Sequence, residues 1–253
     1  MTDPSKAAAV LQQGLFHHRQ GQFREAMERY MEVLQADPEN ADALYYVAVI
    51  ACQDEQFKQG IELGRRALEV GRPQARVHNL IGKAHERLGQ PQEALNAFDA
   101  AIAVDANFAE AHGNRANALM DARRPEEALK SYDRALALKP DSAPDWLNRG
   151  TLLQALGRLE QALASYDKAV ACAPTMAEAH ANRGKVLADL RRPHEALASY
   201  DAAILHDPRF ADAHRARAGV LQALGRADEA ATSLAKAAGI EAQRAAQNQN
   251  NTA

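Results

Sequence analysis

Three asparagines stand at one fixed stride: Asn114, Asn148 and Asn182 are each 34 residues apart. An asparagine side chain offers both a donor and an acceptor, so it bonds a peptide backbone whatever the peptide's sequence. A row of them could hold an extended chain. Next to each stands an arginine, Arg115, Arg149 and Arg183, and that series continues to Arg217. Sixteen residues before each arginine lies an aspartate: Asp99, Asp133, Asp167 and Asp201. These charges have two readings. They form a ladder for an acidic or phosphorylated ligand, or they pair one stretch of chain with the next. Four histidines (His78, His112, His180 and His214) share the same register and invite a metal. A stride of 34 residues keeps them too far apart to share one ion, whose ligand bonds are only about 2 Å long. His17 and His18 are expected to be solvated. The sequence has no His-Glu-x-x-His, no phosphate-cradling Gly-rich loop and no Gly-x-Ser-x-Gly. Neither a metal, a cofactor nor catalysis is expected.

The elements that position these residues repeat as they do. Ala7, Ala41, Ala75, Ala109, Ala143, Ala177 and Ala211 are spaced without insertion or deletion. The chain is therefore expected to be a solenoid of seven units, 7–40, 41–74, 75–108, 109–142, 143–176, 177–210 and 211–244, forming one superhelix. Residues 1–6 are a short lead. Residues 245–253 are a polar tail, expected to be frayed. No room is expected for a catalytic domain of normal size.

Bulk properties agree with an interaction protein. Of the 253 residues 47% are apolar but only 5% aromatic, so the core must be built from Ala, Leu and Val. The net charge is −3, without the basic excess of a non-specific nucleic-acid binder. Cys52 and Cys172 are not expected to meet in a solenoid, where only neighbouring units touch; a reducing compartment fits. The start lacks the pattern of a signal peptide, and the apolar run Val47 to Cys52 is too short to span a bilayer. A cytoplasmic location is expected.

The fifth repeat shows what each unit encodes. Trp146, Arg149, Gly150 and Leu153 stand at positions four, seven, eight and eleven, on one face of a first helix. Gly157 at position fifteen breaks it. Ala162, Tyr166 and Ala169 form the stripe of a second helix, and Pro174 stops that one. Pro91, Pro125 and Pro193 suit the first turn of second helices, where a missing N–H costs nothing. Small residues at positions eight, twenty and twenty-seven allow close approach. The ring at twenty-four (Tyr30, Phe98, Tyr132, Tyr166, Tyr200) fills the space between helices. Repeat two departs from this, with Glu55 for the turn glycine, Gly60 for the alanine and Gly64 for the ring. A mid-helix glycine costs about 1 kcal/mol relative to alanine, so repeat two is expected to be the weakest. Repeat seven lacks a terminal proline; its second helix either runs on past Ala237 or ends at Gly239.

This pattern resembles the tetratricopeptide repeat family, in the bacterial form that reads like Ala177 to Gly184, Ala-Glu-Ala-His-Ala-Asn-Arg-Gly. The resemblance covers Ala7 to Arg244. It implies an all-α fold, a right-handed α-solenoid of seven helix-turn-helix repeats. It also implies that the first helix of each pair lines a concave groove that takes peptides or partner proteins. The family places a ring at position four, commonly tryptophan, which assigns the histidines there to packing.

The distribution of charges favours pairing between neighbours. Each of Asp99, Asp133, Asp167 and Asp201 is followed by an arginine in the next unit. Where the aspartate is missing the arginine is missing too, as for Met31 with Val47 and Arg65 with Ile81. Shared ancestry of the repeats would produce the same co-occurrence.

The resemblance places Asn114, Asn148 and Asn182 in the groove, similar to the asparagine ladder in the repeat domains of O-linked N-acetylglucosamine transferases. Asn117, Lys185 and Arg215 would add polarity nearby. Tolerance of solvent or recent duplication would explain the same asparagines. At the N-terminal end, Leu11, Leu15, Tyr45, Tyr46 and Val49 take groove positions, and apolar or aromatic anchors suggest a second contact zone. That zone would bind an apolar segment or form a homodimer, unless the superhelix curls and covers it. The clamp by which some family members hold chaperone C-termini lacks its basic half here, and Glu178 would repel a carboxylate at that position. The function expected is a non-enzymatic adaptor for a protein or peptide, without nucleic-acid binding or membrane insertion. The alternative is a recognition module serving a glycosyltransferase-like or sulfotransferase-like enzyme.

Overall fold

The computed structural model describes residues 4–71 and 74–250, and every element in it is a helix. The chain falls into two compact units, Met1–Leu138 and Lys139–Ala253. The first unit holds four helix pairs: α1 (Pro4–Arg19) with α2 (Phe23–Ala36), α3 (Ala41–Gln53) with α4 (Phe57–Val70), α5 (Ala75–Arg87) with α6 (Pro91–Val104), and α7 (Ala109–Asp121) with α8 (Pro125–Leu138). The second holds three: α9 (Ala143–Ala155) with α10 (Leu159–Cys172), α11 (Ala177–Asp189) with α12 (Pro193–His206), and α13 (Ala211–Ala223) with α14 (Ala227–Asn250). Within each unit a helix packs on its partner, then on the first helix of the next pair. Each unit is thus a stretch of α-solenoid, and successive first helices also touch, as α5 touches α7 and α11 touches α13. No described helix is long and apolar enough to cross a membrane.

Six first helices, α3, α5, α7, α9, α11 and α13, begin on the recurring alanine. The first starts earlier, at Pro4, so part of the expected lead is helical; residues 1–3 lie outside the described set. Asn40 caps α3 by accepting the Ala43 N–H at 3.1 Å. The core is as narrow as the composition requires. Tyr30, Phe98, Tyr132 and Tyr166 are wholly buried, and the alanines around them are sealed. Glycine at position eight lets the ring in: a Cβ on Gly82 or Gly150 would come within 2.5–2.6 Å of Phe98 or Tyr166.

Position fifteen turns the chain in every repeat by a left-handed backbone. It is glycine in alternate repeats (Gly21, Gly89, Gly157, Gly225, φ between 68° and 74°). In the others it is Glu55, Arg123 and Arg191, with φ of 57–61°. A side chain in that region costs about 1–2 kcal/mol.

Repeat two fills the place of its missing ring with a side chain of the next repeat. Ile81 from α5 occupies the space beside Gly64, where a Cβ would sit 3.0 Å from Ile81 Cγ1. Cys52 lies over Gly60 so closely that a Cβ there would approach its sulfur to 2.3 Å. At the other end Gly239, where an added Cβ would meet nothing, does not stop α14, which runs on to Asn250. The tail expected to fray is therefore helical as far as Asn250, because its Ala and Gln residues favour helix; residues 251–253 lie outside the described set. An ion pair of Glu241 with Arg215, and a bond from Arg244 to the Arg209 carbonyl at 2.9 Å, hold this extension against α13.

Candidate partner-binding surfaces

The arginines at position seven are already engaged. Arg115 Nε donates to Asp99 at 2.6 Å, and Arg183 to Asp167 and Arg217 to Asp201 do the same at the same distance. Each also donates through Nη1, at 2.7 Å, to a serine of its own repeat: Arg115 to Ser131, Arg183 to Ser199, Arg217 to Ser233. Arg149, on α9, makes the same bond to Ser165 at 2.7 Å, while Asp133 lies on α8 in the first unit. The aspartates are half exposed, so the ionic half is worth about 0–1 kcal/mol. The serines are sealed, so the other half satisfies hydroxyls that have no access to water. The serines were not singled out in the sequence, although they mark position twenty-three of the same four repeats that carry the arginine.

The rings at position four tie down the turn before them. His112, His180 and His214 each place Nε2 within 2.8–3.2 Å of the carbonyl six residues back, on Ala106, Pro174 and Pro208. Trp146 Nε1 donates to Pro140 in the same way, at 2.8 Å. A histidine here does what the indole does, which is a structural task. His18 departs from its expected solvation. Burial lowers its pKa, and it packs edge-on to Phe23 with its Nδ1 3.4 Å from the Tyr30 hydroxyl.

In the first unit the polar groove residues are linked to one another. Asn114 donates to Asn79 at 2.9 Å, and the buried Asn79 donates to Glu110 at 3.1 Å, which also pairs with Lys83. Asn117 turns inward and accepts the Tyr132 hydroxyl proton. The N-terminal aromatic zone is not the bare apolar face expected from its sequence. Tyr46 stacks on Tyr30 and meets Tyr45 edge-on. Arg76 lies 4.4 Å above the Tyr45 ring, donates to the Tyr46 hydroxyl at 3.0 Å and pairs with Asp42. Leu11 packs against the core, and Leu15 and Val49 are half-buried. The apolar pattern of the sequence does not mark Arg76, because a guanidinium covers a ring by cation–π attraction rather than by apolar character.

In the second unit, Asn148 on α9 is half-buried. Asn182 and the exposed Lys185 face a cleft of about 690 Å³ between α11 and α13. Across it stand Ala213 and Ala216, with Arg244 at the rim. Arg215 is not free to serve the cleft, because Asp212 and Glu241 hold it.

Models of one family match the sequence, each described as tetratricopeptide repeat: one over residues 79–143 and 181–248, a second over 115–183, a third over 17–84. No curated protein matches the sequence. Solved structures do match. MamA from Desulfovibrio magneticus is 21% identical over 67% of this chain and 96% of its own, with a TM-score of 0.62. The pilF protein of Pseudomonas aeruginosa is 20% identical over 76% and 88%, with a TM-score of 0.69. YrrB, reported as a repeat protein of this kind with an unusual peptide-binding site, is 21% identical over 73% and 95%, with a TM-score of 0.60. At these identities the likeness is one of fold.

Proposed function

The chain belongs to the tetratricopeptide repeat family, and from that premise we propose that it is a non-enzymatic adaptor holding a peptide or partner protein against its first helices. The observation that carries this reading is the cleft between α11 and α13, where Asn182 and Lys185 face two alanines. The arginines, serines and position-four rings are used in stacking, so they leave the groove to other residues. A peptide-binding site reported for YrrB, which shares the fold, supports the reading. Asn114 would serve the first unit's groove, and Asn148, Asn182 and Lys185 the second's; Asn117, turned in to Tyr132, and Arg215, held by Asp212 and Glu241, would set the groove walls rather than touch a partner. The free Cys52 and Cys172 fit a reducing compartment such as the cytoplasm.

The N-terminal face of Leu11, Leu15, Tyr45, Tyr46 and Val49 is proposed as a second contact. Its Arg76 cover suits a partner that is aromatic or acidic better than a purely apolar helix. Affinity capture with the full chain, repeated with Asn114, Asn148 and Asn182 changed to alanine, tests the main reading. Partners retained by the wild type and lost by the triple variant are expected; an identical set from both would sink it. Tyr45→Ala tests the second contact, which fails if both partner set and oligomeric state are unchanged.

A further inference from the structure

The tyrosine at position twenty-four ends in a hydroxyl that needs a partner. In repeat four, Tyr132 gives its proton to Asn117 and lies 3.3 Å from Met120 Sδ. In repeat five, Tyr166 is bonded to Thr151 at 3.3 Å and Gln154 at 3.1 Å. Both sets come from positions nine and twelve of the preceding helix. In repeat six those positions hold Lys185 and Ala188. An ammonium has no lone pair to offer and a methyl group has none either. Tyr200 accordingly makes no side-chain hydrogen bond among the described residues, although it is only 3% exposed. No sealed side-chain oxygen or nitrogen among the described residues lacks a partner, so this hydroxyl is reached from outside.

The opening is the cleft already described together with a neighbour of about 570 Å³; Tyr200, Lys185 and Ala216 line both. The space exists because α13 carries small residues where α11 carries long ones. Ala216, Gly219 and Ala223 stand at the positions of Asn182, Lys185 and Asp189, and a Cβ on Gly219 would meet nothing. Burial first, and then the nearby Asp189, push the Tyr200 phenol up to about 12, so it stays a donor at neutral pH. Lys185 makes no ion pair among the described residues. Of the carboxylates lining the first cleft, Asp212 is paired with Arg215, and Asp207 accepts the Arg209 N–H at 2.9 Å. Glu178 lies seven residues before Lys185 on the same helix, roughly 10 Å along its axis.

Two donors thus meet at one corner of the cleft, and Asp189, the carboxylate that lines the neighbouring opening one turn along α11 from Lys185, accepts from neither among the described residues. We infer that this corner takes a carboxylate, the aspartate or glutamate side chain of an extended peptide lying between α11 and α13, held by the Tyr200 hydroxyl and the Lys185 ammonium. The inference rests on the adaptor reading and specifies what its groove selects.

A randomised peptide library displayed on phage and panned against the full chain tests it. Enriched peptides are expected to share one fixed acidic position. Their synthetic forms should lose about tenfold in affinity when that residue becomes the matching amide. Tyr200→Phe should cause a similar loss without changing the melting temperature, since the hydroxyl has no internal partner. Lys185→Asn should close the phenol as Asn117 closes Tyr132, abolishing the acidic preference while keeping the fold. Enrichment without an acidic position, or equal affinity of acid and amide forms, overturns the carboxylate site and leaves the adaptor reading standing. Failure to enrich any peptide overturns both.

Discussion

At position seven, repeats two and three meet through an aliphatic side chain, whereas repeats six and seven meet through a polar one. In the first place Ile81 fills the space beside Gly64. In the second Arg217 reaches Asp201 of the preceding repeat and Ser233 of its own, while Tyr200 supplies the ring. The same backbone spacing accepts both. Stacking therefore needs volume between helices more than it needs a particular chemistry. The polar version differs in what it demands: its buried serine has to be matched by a donor from the right position, which discriminates between neighbours that volume alone would accept.

The largest effect that separates the two contacts is expected at Ile81. Ile81→Ala empties both its own volume and the ring space it borrows, and should cost about 2–5 kcal/mol in urea unfolding. A loss below about 1 kcal/mol would mean that α4 and α5 collapse onto each other without it. Next, Gly60 and Gly64 weaken α4 by roughly 2 kcal/mol in all. Amide hydrogen exchange should find α4 opening well before α8, α10 and α12, and equal protection would remove the contrast. On the polar side, Arg183→Ala should cost about 1–3 kcal/mol, mostly because the sealed Ser199 loses its donor. Asp167→Asn, which touches only the half-exposed partner, should cost no more than about 1 kcal/mol.

Finer still is the difference between two tyrosines. Tyr132→Phe deletes a bonded hydroxyl and should lower stability by about 1 kcal/mol, while Tyr200→Phe should change it hardly at all. The smallest effect lies on the surface. Hydrogen bonds from Arg124, Arg192 and Arg226 hold the carboxyls of Glu127, Glu195 and Glu229 below the usual range. Their contribution is complete above the ordinary glutamate pKa and fades as the pH falls through the lowered one. Carboxyl NMR titration should show all three protonating at lower pH than an ordinary glutamate, and Arg192→Ala should return Glu195 to the ordinary range.

The contrast also explains which features the sequence made legible. The helix boundaries were legible because an unbroken period lets seven weak signals be read in one register. The Arg–Asp pairs were legible because both partners vanish together at Val47 and Ile81. The serines carried the same signal but look unremarkable, since their role depends on burial that a sequence does not display. Arg76 was hidden for a related reason: its cover over Tyr45 and Tyr46 depends on two repeats folding against each other. The open hydroxyl of Tyr200 needs three positions from two helices to be compared at once. Gly239 left two outcomes open, and the helix runs on because a glycine on an unpacked face gives it little reason to stop there.

The alternation at position fifteen carries a consequence of its own. Gly21, Gly89, Gly157 and Gly225 mark the odd repeats, and Glu55, Arg123 and Arg191 the even ones. The backbone thus has one period and the residues that bend it have another, twice as long, like a crystal whose unit cell is doubled by an ordered substitution. The natural brick of this molecule is then a pair of repeats. Adding or removing two preserves the order of its turns, while adding or removing one sets like beside like.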